Sequence, residues 1–200
     1  MKNTAKLFVL LCLGLASYSS ADSPKELPEK IVALTFDDSP LSHATFVAPL
    51  LRELGFGATF FITEGFSFTK DKKKYMTWEQ IKILHDQGFE IGNHTRDHKL
   101  VTRQNKDQLR ADLKHIEERC LQHGISKPVS FCYPGYATSK MAVELLKEMG
   151  YKYARTNGNR PFDLKNDNPL LMPHVFDSKP NTNFKQFKAA LAKRKKAASL

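Results

Sequence analysis

Cysteine is scarce in this 200-residue chain, three in all, which excludes a disulfide-stapled scaffold. Cys12 falls in an apolar leader, so Cys120 and Cys132 remain either as one disulfide or as two buried thiols. Long hydrophobic runs are also missing. The apolar stretch Leu7–Ala16 follows Lys2 and Lys6 and is too short to cross a bilayer as a helix. It reads as a secretory signal peptide over residues 1–21, with Ser19 and Ala21 as the small residues before a cut at Asp22. Leu11 before Cys12 argues against a lipid anchor. The mature chain is therefore expected in the periplasm or outside the cell, with no stable membrane span. Acid is outnumbered: 21 Asp and Glu against 31 Lys and Arg give +10, and removing the two leader lysines leaves +8. Those charges are scattered apart from Lys72–Lys74 and Lys193–Lys196, and no nucleic-acid motif accompanies them. The expectation is no nucleic acid, but an anionic envelope polymer or membrane surface. Repeats and low-complexity segments are absent.

What is present suits one domain. A hydrophobic content of 41% fills a single core, and residues 22–200 are expected to form one unit, with its core at 30–176, working as a monomer. Strand-like runs at Ile31–Phe36, Ala58–Thr63, Phe89–Ile91, Pro128–Tyr133, Tyr151–Arg155 and Leu170–His174 alternate with helical stretches. The helices are read at His43–Leu54, from Thr77 to Gly88, from Gln104 or Asn105 to Gln122, at Ser139–Met149 and at Asn183–Lys196. Thr77 and Gln80 have the spacing of a capping box. This alternation predicts a parallel sheet, doubly wound or closed as a barrel, and both put chemistry at the C-terminal ends of strands.

The chemistry-bearing residues fall there. Asp37 and Asp38 follow the first strand, and His94 and His98 follow the third. Four residues apart on a helical turn, the two imidazoles would project from one face, although surface histidines share that spacing. Adjacent carboxylates at a strand end point different ways, so one can ligate a cation while the other faces a substrate as general base. One carboxylate and two histidines with an open position suit zinc or a similar divalent ion.

The run Thr35–Pro40 resembles the first signature of the polysaccharide deacetylases of carbohydrate esterase family 4, and His94–His98 resembles the second. Phe131–Tyr136 resembles a variant of the third, so the likeness spans about Ile31–Arg155. The resemblance implies a distorted, incomplete parallel (β/α) barrel. It implies a metal-dependent hydrolase that removes N-acetyl groups from a peptidoglycan- or chitin-like polymer or oligomer. The alternatives are a carbohydrate-binding relative with impaired catalysis and a deacetylase of acetyl esters on xylan. By position, Asp37 would be the base, and Asp38, His94 and His98 would hold one divalent metal, zinc ahead of its first-row neighbours. Pro134 has no N–H to give, so Gly135 is the expected oxyanion donor, and Tyr133 and Tyr136 would wall a groove for a sugar ring.

Two departures stand out. Cys132 occupies the place of an arginine that in the family pairs with the catalytic aspartate; the charge must come from elsewhere, and Arg155 either faces the same cavity or is solvated. The closing strand with its proton-donating histidine is not found after the last helix. Leu171–His174 matches that signature but arrives early, so His174 is either the general acid or an ordinary strand-end histidine.

Overall fold

In a computed structural model, the residues described are 31–178, together with Lys185. The chain divides into two units at Val32 and Ala33, and the second carries everything that follows. The expected signal peptide lies outside the described residues, as does the expected helix Asn183–Lys196 apart from Lys185. Among the described residues, no helix is long and apolar enough to cross a membrane.

Six strands form one sheet: β1 (Thr35–Phe36), β2 (Thr59–Ile62), β3 (Glu90–Asn93), β4 (Ser130–Cys132), β5 (Tyr153–Thr156) and β6 (Met172–Pro173). Their spatial order is their chain order, and every pairing is parallel. That order decides between the two architectures. A doubly wound sheet reverses direction at a switch point, whereas crossovers that always step the same way keep all helices on one side and curl the sheet. The result is the expected incomplete barrel, with β1 and β6 as its free edges among the described residues.

Helices α1 (Ala48–Glu53), α2 (Trp78–Asp86), α3 (Lys106–Gln122) and α4 (Lys140–Glu148) join the strands. A π-helical turn, His43–Val47, leads into α1. The capping box expected at Thr77 and Gln80 forms, and Asn105 with Gln108 makes a second one for α3. Period-two alternation sorts each strand. Phe60, Ile62 and Ile91 pack with Ile81, Leu84 and Ile116 in one core cluster, and Phe131 and Ala154 pack with Leu113, Leu145 and Leu146 in another. The alternate positions face the inside of the curl. There the Phe61 ring fills the space over Gly92, so close that a Cβ at Gly92 would come within 2.4 Å of it.

The edge strands are shorter than their apolar runs suggest. Only Thr35 and Phe36 of the first run pair, while Ile31 and Val32 are exposed. Pro173, lacking an N–H, ends β6 after two residues. Cys120 and Cys132 are free, buried thiols.

Candidate active site

The ends of β1, β2 and β3 are laced together. The Ser39 hydroxyl, wholly buried, donates to the Thr63 carbonyl at 3.0 Å and accepts from the Thr63 N–H at 3.1 Å. The Thr63 hydroxyl donates to the Arg96 carbonyl at 3.0 Å, and the Glu64 N–H donates to the same oxygen at 2.9 Å. Held this way, the loops adopt left-handed backbone at non-glycine positions: φ is 71° at Asp38, 57° at Ser39, 64° at Thr95 and 54° at His98. Such strain persists only where surroundings over-determine it, and it concentrates at functional sites.

His94 and His98 do meet, their rings 4.7 Å apart, but not on a helical turn. Residues 94–98 form a loop, in which the Asn93 side chain accepts from the Thr95 N–H at 2.9 Å and turns the chain away from helix. A spacing of four thus brings the two rings together through a loop rather than a helical turn.

Asp38 Oδ1 lies 3.4 Å from His94 Nε2 and 3.3 Å from His98 Nε2. It is buried with no hydrogen-bond partner. His94 Nδ1 donates to the Cys132 carbonyl at 2.7 Å, which fixes the ring and leaves Nε2 as the nitrogen turned to Asp38. Ligands about 2.1 Å from a tetrahedral ion sit about 3.4 Å from one another, so these separations fit a divalent cation. The electrostatics agree. Burial opposes charge on Asp38, but the surrounding His94, His98 and His43 outweigh it and hold the carboxyl below its ordinary value. Burial likewise opposes charge on His94, while Cys132, Asp38 and Asp37 favour it and lift the imidazole well above its usual value. His98 moves down, by burial and by His94.

Asp37 Oδ2 accepts a close hydrogen bond from Arg155 Nη2, and Asp37 Oδ1 is buried without a partner. Arg155 is therefore turned into the site from β5. Its Nη2 also lies 3.0 Å from Cys132 Sγ, which is itself 3.6 Å from Asp37 Oδ2. Asp37, His94 and Cys132 also lie within ligating reach of one another, but the guanidinium already supplies the positive charge there.

Of the expected sugar-contacting residues, Tyr133 is withdrawn. It is fully buried in the second core cluster, and its hydroxyl donates to the Leu170 carbonyl at 3.0 Å. It follows Cys132 directly, so the alternation that turns Cys132 inward sends Tyr133 toward the helices. Gly135 and Tyr136 do lie on the rim, in a tight turn at φ 57° and 60°. The Arg155 guanidinium is 5.6 Å from the Tyr136 ring centre. On the other side Tyr136 stacks on His174 at 4.8 Å, and His174 Nδ1 donates to the Thr156 carbonyl at 3.1 Å.

His43 had no linear signal. It is 7% exposed, between the Phe36 and Phe60 rings, and its Nδ1 has no partner. Burial pushes its imidazole from 6.5 down to about 4, against the pull of Asp37 and Asp38. The unfolded chain takes up that proton first, so this contribution to stability is full above pH 6.5 and is lost as pH falls toward 4. The whole shift is worth about 3 kcal/mol. His43→Phe should lessen the loss of urea stability between pH 7 and pH 4.5; an undiminished loss would mean that His43 is charged in the fold.

A carboxylate and histidine cluster that could hold a cation thus lies at the C-terminal rim of an open parallel α/β barrel. The family model described as Polysaccharide deacetylase matches residues 24–154. The chain belongs to the polysaccharide deacetylase family. It is 30% identical over 125 residues to a peptidoglycan-N-acetylglucosamine deacetylase of Bacillus cereus, covering 62% of this chain and 55% of that protein. It thus spans about half of that relative's length. Among solved structures, IcaB from Ammonifex degensii superposes with a TM-score of 0.66 at 26% identity, over 82% of this chain and 74% of that one. The Streptococcus pyogenes deacetylase PplD in complex with acetate shares the fold, with a TM-score of 0.68 at 18% identity over 82% of this chain and 71% of that one.

Proposed function

We propose that this chain is an exported, metal-dependent hydrolase that removes N-acetyl groups from a peptidoglycan- or chitin-like amino-sugar polymer. The observation that carries the reading is the convergence of Asp38 Oδ1, His94 Nε2 and His98 Nε2 beside an arginine-bound Asp37. Asp38, His94 and His98 hold the ion, zinc ahead of its first-row neighbours. When bound, it supplies Lewis-acid charge that polarises a carbonyl and acidifies water.

The chain's own residues divide the remaining work. Arg155 holds Asp37 Oδ2, and Asp37 Oδ1 is free to take a proton from the attacking water. The Gly135 N–H, on a left-handed turn at the rim, is the donor we assign to the developing oxyanion. With Nδ1–H held by the Thr156 carbonyl, His174 gives a proton from Nε2 to the departing amine in its imidazolium form, and its stack on Tyr136 sets the ring. The surplus of 31 basic over 21 acidic residues favours an anionic polymer, and residues 1–21 direct export.

Acetate release from N-acetylglucosamine oligomers and from peptidoglycan, with and without a chelator, tests the reading. Chelator-sensitive release, greater on peptidoglycan, is expected. Release only from acetylated xylan, or saccharide binding without any release, would replace it with one of the two alternatives.

A further inference from the structure

Phe66 breaks two local rules at once. A bulky aromatic with φ 57° is an outlier, and its side chain is left 60% exposed. The loop beneath it is tight: at Gly65 a Cβ would meet the Asp97 backbone and His98 Cβ at 3.0 Å. The Phe66 ring lies 4.7 Å from that of His98, tilted by 39°. It is parallel to the Tyr75 ring within 6°, at 6.4 Å. Tyr75 is strapped to the loop that bears Asp38. Pro40 and Tyr75 form an antiparallel bridge, flanked by the Leu41 N–H on the Lys74 carbonyl at 2.7 Å and the Met76 N–H on the Ser39 carbonyl at 3.0 Å. Two parallel rings are thus held at a fixed offset from the ligand trio, one against His98 and one against the Asp38 loop.

We propose that Phe66 and Tyr75 form a sugar-binding subsite of the deacetylase centre, on which a pyranose next to the acetylated residue lays its C–H face. The inference rests on the deacetylase reading and sharpens it: the substrate is a chain of sugars, read at more than one residue. A pyranose presents an apolar disc that matches an aromatic surface, and a rigid ring binds it with little ordering cost. Folding alone gives no reason to hold an exposed phenylalanine in left-handed backbone, where asparagine or glycine fits without strain.

The test compares wild type, Phe66→Asn and Phe66→Tyr. Asparagine suits the backbone and removes the ring, so Phe66→Asn should melt at the same or a higher temperature. Its KM for tetra-N-acetylchitotetraose should rise roughly tenfold with little change in kcat. The penalty should shrink as the oligomer shortens, and Phe66→Tyr should retain wild-type KM. A fall in kcat at unchanged KM, which would make Phe66 only a prop for His98, or an equal KM penalty at every length, overturns the proposal. If wild type releases no acetate, the deacetylase reading fails separately. Calorimetric binding of the same tetramer then decides the subsite: weaker binding by Phe66→Asn supports it, and equal affinity, or no binding by either protein, overturns it.

Discussion

Asp37→Asn should lose about a thousandfold in kcat while keeping its bound metal, the span expected when a positioned general base is removed. Asparagine keeps the shape of the side chain and an oxygen for Arg155, so neither the fold nor the ligand trio is disturbed. What goes is the ability to take a proton at Oδ1, the buried atom that no other group engages. Acetate release together with metal content separates the roles of the two neighbouring carboxylates. Asp37→Asn should be metal-replete and inactive; loss of metal in this variant would make Asp37 a ligand.

Arg155→Ala should cost about a hundredfold in turnover and about 3 kcal/mol in stability. The stability loss follows from leaving a largely enclosed carboxylate without its partner, and the loss of turnover from a base that is no longer held in one orientation. The position of the lost charge can be tested further, because Cys132 Sγ stands between the two groups, 3.0 Å from Arg155 Nη2 and 3.6 Å from Asp37 Oδ2. Cys132→Arg placed in the Arg155→Ala background should return much of the turnover, by supplying a guanidinium to Asp37 from β4 instead of β5. Arg155→Lys should recover less, since an ammonium lacks the planar fork. Failure of the double variant to exceed Arg155→Ala, with both proteins folded, would show that Arg155 does more than orient Asp37.

The Cys132 and Arg155 pair also shows where sequence reasoning reaches and where it stops. Cys132 stands where the family has arginine, and the local sequence says only that a charge is missing. The parallel register of β4 and β5 sets Cys132 opposite Arg155, so both side chains turn into the curl and the charge moves by one strand. Register is a property of two strands and is invisible in either alone. Tyr133 failed as a groove residue for the same reason, since one step along the strand moves a side chain from site to core. The element order was legible because apolar runs alternate with capped helices, and the sequential strand order then follows from crossovers of one hand. The helical-turn geometry expected for His94 and His98 does not form because Asn93 and Thr95 close a turn there, which a spacing of four cannot distinguish from a helical turn. The aromatic pair Phe66 and Tyr75 and the enclosed His43 owe their places to contacts between distant segments, and no linear pattern announces them.

That Asp38, His94 and His98 together hold one divalent ion is the claim on which the rest depends. Metal analysis of the purified chain and of His94→Ala, after identical dialysis, tests it most directly. One ion per chain in wild type and almost none in His94→Ala, with both proteins folded, is the expected result. Full occupancy in His94→Ala would contradict it.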